Sequence, residues 1–409
     1  MRIIVVGAGL AGLVSALRLQ EAGHQVTVLE ARDRVGGRVL SLREGFRDGQ
    51  YADIGAEIIY QGQERIVALV ERFGLELTPP MDLKTDLPDL LMDGRKLDRG
   101  EVAEVVADLR DTYHEYPPAS YESVAAWGRR ARVGRWTYAL MEAMVQSTPV
   151  TPLRYADAQE FNPNLGWGHG FRKIQGGNDQ LPRRIAEGLD VRLSDPVRVI
   201  GWAGQGATVE TDRETHRGDR VVVCVPGPLT TELGFDPPLP ADKVRALLEL
   251  RYSTASRLAL QYAEKDLVRG AMAGGAFTDR LPGWFFDQSI HQPGDAIVIT
   301  SVLGGDHEPA FVDAEPVLRE ADETMQLLAG EKVTRLFGTV VSWTRDPWAR
   351  CVVRAPIGDQ REKILPLISE PLASKLYFAG EHTDDRWGPG GMEGAIRSAY
   401  RAADEVLSA

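Results

Sequence analysis

The chain has 409 residues, enough for two domains around a large core, and its 59 acidic against 47 basic side chains give a net charge of −12. That balance excludes a nucleic-acid partner, whose phosphates demand a basic surface, and the two cysteines, Cys224 and Cys351, exclude a disulfide framework or a zinc cluster. No apolar stretch is long enough to span a bilayer and no targeting peptide is visible, so a soluble cytoplasmic metabolic protein, as a monomer or a homodimer, is expected.

Ile3 to Val6 is a short run without a polar position, as expected of a strand buried on both faces of a parallel sheet. Gly7, Gly9 and Gly12 follow in GxGxxG spacing, and Leu13, Ala16, Leu17 and Leu19 then recur at roughly helical intervals. Strand, glycine turn and helix in this order let a diphosphate approach the main chain at a helix N-terminus, where free N–H groups and a partial positive charge receive it. A second strand, Gln25 to Leu29, ends in Glu30, eighteen residues beyond Gly12, where a carboxylate accepts hydrogen bonds from a ribose diol. A dinucleotide site is therefore expected, and the acid disfavours a 2′-phosphate.

The run from Glu30 through Ala31, Arg32, Asp33, Arg34, Val35, Gly36 and Gly37 to Arg38 resembles the second glycine motif of the flavin amine oxidase superfamily, whose cofactor is FAD. In that family the paired glycines bring the chain close to the diphosphate and the arginines bring positive charge to it. Asp53 to Tyr60 is similar to the family's stretch beside the flavin ring, with Gly55, Ala56 and Glu57 at its centre. An amphipathic helix over Glu64 to Phe73 follows, capped by Gly74.

Prolines and charges from Thr78 mark a crossover, then helices are expected around Glu101 to Tyr113, Tyr121 to Arg130 and Gly134 to Ser147, with Trp127, Trp136, Tyr138 and Met141 as core. Asn162, Asn164, Trp167 and His169 occupy a glycine-containing loop, and His169 is readable either as a substrate contact or as a surface histidine. Asn178 reads as an N-cap, with Pro182 in the first turn of its helix. Short strands are expected at Val191 to Leu193, Val197 to Ile200, Ala207 to Thr211 and Arg220 to Val225, the last with Cys224 in its core; by resemblance the Val197 backbone meets the adenine. Strands at Arg251 to Tyr262, Gly283 to Phe286, Ala296 to Val302 and Phe337 to Trp343, and a helix over Glu315 to Leu328, complete a second region. Leu376 to Thr383 and Gly390 to Ala395 strongly resemble the superfamily's C-terminal FAD signature, so the resemblance spans the chain.

The resemblance implies an α/β fold: a Rossmann-type FAD-binding domain with an inserted α+β substrate domain built on a mixed sheet. The nucleotide part is assigned to 1–77, 175–248 and 344–409, the substrate part to 78–174 and 249–343. Expected cofactor contacts are Gly7, Gly9, Ala11, Gly12, Glu30, Ala31, Arg32, Gly36, Gly37, Arg38, Gly55, Ala56, Glu57, Val197, Gly380, Glu381, Gly391 and Met392. The lysine that many members hold near flavin N5 aligns with Arg257, which cannot act as a base but places a water or an anionic group, unless it is a structural ion pair. The two aromatic residues that flank the flavin in amine oxidases align with Gly391 and Val353, so Trp343 and Trp348 are left to replace them in part, and Arg257 and Trp343 are the candidate catalytic residues. Cys351 lies one position before the family's covalent attachment site, which aligns with Val352, so FAD is expected to bind non-covalently. The expected activity is hydride transfer from a C–N bond of a small-molecule amine or amino compound to flavin N5, with O2 or another electron acceptor; oxidation of a C–C bond, as in phytoene desaturase and protoporphyrinogen oxidase, is the alternative.

Overall fold

A computed structural model describes residues 1–81, 87–147, 150–163, 170–272, 275–307, 313–355, 359–385 and 390–409. The all-apolar run at the start is the strand Arg2–Val6, and it lies third in a five-stranded parallel sheet ordered Leu376–Phe378, Arg220–Val223, Arg2–Val6, Gln25–Leu29, Asp190–Arg192. Because successive side chains leave a strand on opposite faces, Ile3 and Val5 enter one core and Ile4 and Val6 another. The first core is closed by helix Leu10–Glu21 and helix Gly391–Ser408, whose Ala399, Ala402 and Ala403 are small enough for the two backbones to approach, so that Ser15 Oγ reaches Ala399 O at 3.4 Å. The second core is covered by a four-stranded sheet, ordered Thr215–Gly218, Ala207–Thr211, Val197–Gly201, Gly234–Asp236, and by helices Ala241–Glu249 and Gln360–Ser369.

A seven-stranded mixed sheet forms the other layer, ordered Arg335–Ser342, Ala255–Tyr262, Ile297–Gly304, Trp284–Asp287, Gly275–Thr278, Asp89–Met92, Arg95–Lys96. Its pairs are antiparallel except Gly275–Thr278 with Asp89–Met92. Leu258, Leu260 and Tyr262 pack with helices Lys265–Met272 and Ala314–Ala329 on one face. The period of two therefore turns Arg257 to the opposite face, towards the parallel sheet. Helices Arg99–Glu115, Val124–Ala131 and Arg135–Ser147 build a further core around Trp127 and Met141, both fully buried. Trp136 is only half-buried and its indole N–H donates to Asp93 Oδ2 at 3.1 Å.

One local expectation is corrected. Asn178 is not the N-cap; helix Gln180–Ala186 is preceded by Asp179 in that position, and the Asn178 side chain is turned inward instead. Asn164, Trp167 and His169 lie outside the described residues.

Gly12 packs the helix tightly onto the turn that leaves the first strand, since a Cβ there would lie 1.8 Å from Gly7 O. Gly12→Ala is thus expected to force the helix off the sheet and to cost about 3 kcal/mol or more, seen as a lower melting temperature of the apoprotein. An unchanged melt would show that the helix shifts freely.

Candidate active site

A cavity of about 840 Å³ runs between the C-terminal ends of the parallel strands and the inward face of the mixed sheet. Its wall includes Arg257, Trp343 and every expected cofactor contact except Gly12, which shapes the turn from behind rather than facing the cavity.

At the nucleotide end the two N-terminal glycine motifs abut. Gly9 forms an isolated bridge with Gly36, Gly36 N donates to Ala8 O at 2.8 Å, and a Cβ on Gly37 would come 3.3 Å from Gly9 Cα. Gly9 is the N-cap of helix Leu10–Glu21, offers no capping side chain, and has open space where a Cβ would point. Those free N–H groups under an open cradle suit a diphosphate. Glu30, 6% exposed, closes the turn: Oε2 accepts from Ala8 N at 2.7 Å and Oε1 from Arg32 N at 2.9 Å, while burial raises its pKa. Each oxygen keeps a second lone pair for a ribose hydroxyl.

The arginines of the motif are tied within the protein rather than left free for phosphate. Arg32 forms a bidentate pair with Asp346 at 2.5 and 2.8 Å, and Arg34 donates to Val35 O and Gly37 O. Arg38 donates to Val352 O at 2.5 Å and to Glu381 Oε1 at 3.1 Å, which joins the second glycine motif to the C-terminal signature. Helix Gly391–Ser408 brings its first turn to the cavity through Gly391, Met392 and Ala395. Its Glu393 accepts from Ile66 N at 2.9 Å and so caps helix Glu64–Arg72.

At the ring end, four consecutive carbonyls of the stretch 54–57 each receive a side-chain donor. Trp343 Nε1 donates to Ile54 O at 2.7 Å and Arg257 Nη1 to Gly55 O at 3.3 Å, while Asn178 Nδ2 reaches Ala56 O at 3.1 Å and Glu57 O at 2.7 Å. The side chain of Glu57 lies between two buried cations, Oε2 bonded to Arg257 and Oε1 to Lys173. Arg257 is therefore both a cavity residue and one half of an ion pair, and the N–H of Trp343 is committed to backbone while its ring lines the cavity. Gly391 and Val353 face the cavity as expected, and Trp284, Trp348, Tyr60 and Tyr155 join Trp343 as its aromatic surface. Burial pushes the Tyr60 phenol up to about 12. Phe161 and Asn162, at the start of that loop, line the cavity too.

Both cysteines are buried. Cys224 touches the cavity, with its thiol pushed up to about 12 by burial; Cys351, pushed up to about 11, sits behind the wall formed by Val352 and Val353. Contributors given no role in advance include Tyr155, Trp284 and Lys173. The first two carried an aromatic signal without a period, and Lys173 carried none.

A sequence profile described as flavin-containing amine oxidoreductase matches residues 10–144 and 142–407. The chain belongs to the flavin-containing amine oxidoreductases. It is 24% identical to an L-amino-acid oxidase of Pseudechis australis over 99% of this chain and 86% of the relative, and 25% identical to that of Gloydius blomhoffii over 99% and 88%. Among solved structures it resembles cyclohexylamine oxidase from Brevibacterium oxydans IH-35A, with a TM-score of 0.83 and 20% identity over 100% of this chain and 98% of that one. Wild-type putrescine oxidase bound to putrescine gives 0.81 and 19% over the full length of both. At these identities the structures speak for the fold, which is that of FAD-dependent amine oxidases, and FAD is the cofactor of this flavin-containing protein. The cradle at Gly9, the spare lone pairs of Glu30 and the helix terminus at Gly391 fit it.

Two substitutions separate the cradle from the scaffold. Gly9→Ala has room in the apoprotein and should leave its melting temperature nearly unchanged while weakening FAD binding about tenfold or more, because the methyl group occupies the diphosphate's approach. Glu30→Ala should weaken FAD binding by about 1–3 kcal/mol and also lower apoprotein stability, because the Ala8 and Arg32 N–H groups lose their acceptor. Titration of apoprotein with FAD alongside thermal melts checks both, and equal behaviour of the two variants would contradict the division.

Proposed function

We propose that the protein oxidises a C–N bond of a small-molecule amine or amino compound, with non-covalent FAD as cofactor and oxygen as the final electron acceptor. The observation that carries the reading is the ring-side wall: the segment 54–57 fixed by four side-chain hydrogen bonds, with Arg257 and Trp343 facing the cavity beside it. Family membership and the amine-oxidising relatives favour C–N over C–C oxidation. FAD, when bound, supplies the hydride acceptor. The residues proposed to hold it are those of the two N-terminal glycine motifs, Gly55, Ala56, Glu57, Val197, Gly380, Glu381, Gly391 and Met392. The nucleotide part is assigned to 1–77, 175–248 and 344–409 and the substrate part to 78–174 and 249–343, a division supported by the parallel sheet drawing only on the first set and the mixed sheet only on the second. A buried Cys351 behind the wall supports the non-covalent attachment.

The chain's own residues set the protonation state of the substrate. Arg257 offers donors only, both oxygens of Glu57 are occupied, and burial pushes the Tyr60 phenol up to about 12, so it stays neutral. Among the described residues this wall supplies no base for an ammonium group, so the amine is proposed to arrive deprotonated. The aromatic rings around it exclude water from the reacting carbon.

Two measurements follow. The rate of flavin bleaching at limiting substrate should rise with pH along the free amine's own titration, so two substrates of different pKa should give limbs displaced by that difference; a limb fixed at one pH would indicate a protein base instead. With Gly391 and Val353 in place of an aromatic pair, benzylamine should bleach the flavin slowly and a bulkier or more polar amine faster, with hydrogen peroxide formed in step. Rapid reduction by benzylamine would return the protein to ordinary monoamine oxidation.

A further inference from the structure

Behind the ring-side wall lies a lysine with no part in the chemistry above. Lys173 is 3% exposed and does not line the cavity. Among the described residues its ammonium has one carboxylate partner, Glu57 Oε1, and it rests 4.9 Å from the centroid of the Phe286 ring. A charged amine so deep in the protein persists only with a partner, because burial strips its hydration. Its backbone is fixed as well: Lys173 N donates to Thr78 Oγ1 at 3.1 Å and Thr78 N to Lys173 O at 2.8 Å.

The terminal torsion of a glutamate is broad, so a carboxylate anchored through one oxygen rocks about that contact. Anchors on both oxygens fix its plane. Glu57 has both, with Lys173 on one oxygen and Arg257 on the other, and its carbonyl is held by Asn178. An arginine bonded to a fixed carboxylate takes its orientation from it. The Arg257 Nε is buried without a partner on a side chain that lines the cavity, so that orientation decides where a charged donor points.

We propose that Lys173 is a positioning residue for the oxidation: it fixes Glu57, and through Glu57 the direction in which Arg257 presents its guanidinium to the cavity. The proposal rests on the reading of the ring-side wall as the site of C–N oxidation.

The test is a double-mutant cycle on the holoprotein with Lys173→Met, Arg257→Met and both together, and with Lys173→Arg as the conservative rescue. The absorbance spectrum of the oxidised flavin is recorded first without substrate, then the rate of its reduction by an amine. Lys173→Met should keep one FAD per chain, shift the spectrum and slow reduction about tenfold, within the range for partners in one ion-pair network. In the Arg257→Met background the same change should move the spectrum no further and the rate by less than about twofold. Lys173→Arg should recover most of the loss. Spectral shifts that add and rates that multiply would make Lys173 independent of Arg257 and overturn the proposal, as would wild-type behaviour of Lys173→Met. If Lys173→Met does not fold, Lys173→Gln takes its place in the same cycle. Failure of the C–N reading shows separately, as a wild-type flavin that no amine bleaches while the spectral coupling persists.

Discussion

The close approach of two helices from opposite ends of the chain is the contact on which the site depends. Leu10–Glu21 and Gly391–Ser408 meet through small residues, and the strand Leu376–Phe378 completes the parallel sheet two places from Arg2–Val6. Only with the two ends together do the glycine motifs face the first turn of the last helix across one cavity. The ion pair of Arg38 with Glu381 and the bond from Ile66 N to Glu393 are further stitches along the same seam.

Buried charge is handled differently at the two ends of that cavity. Around the nucleotide motif each arginine has a partner inside the protein, so a phosphate would be met chiefly by backbone N–H groups and a helix dipole. At the ring end one carboxylate serves two cations, and a second carboxylate, Asp53, is fully buried nearby with its pKa raised to about 6, chiefly by desolvation. Asp53 Oδ1 accepts from Ser41 Oγ and Asn178 N, so it shapes the wall rather than joining the chemistry.

Much of this was legible in the sequence because the decisive signals are local. A β-branched run, a glycine turn and an acid at fixed spacing specify the nucleotide end without knowledge of the rest. The strand Asp89–Met92 was not legible, since four residues between Pro88 and Asp93 are too few for any period, and helix Gln360–Ser369 carries Pro366 in its interior, where proline reads as a breaker. Lys173 was invisible for another reason: its burial is set by Glu57, 116 residues away in sequence, and a lone lysine beside glycines otherwise reads as surface. Asn178 reads as an N-cap from sequence, and only the tertiary structure shows Asp179 in that place and the Asn178 amide turned to the carbonyls of Ala56 and Glu57. Arg257 shows the limit of alignment, which placed it at the flavin and left its ion pair open.

The four pinned carbonyls join the two layers as well as shaping a wall. Their donors come from both sides: Trp343 and Arg257 belong to the mixed sheet and its continuation, Asn178 to the approach to a helix that packs on the parallel sheet. Sliding the mixed sheet over the parallel-sheet layer would break the Trp343 and Arg257 bonds together and unpair Glu57. A clamshell motion between the two layers would therefore cost several buried contacts at once, so the ring-side wall holds the layers in one relation to each other.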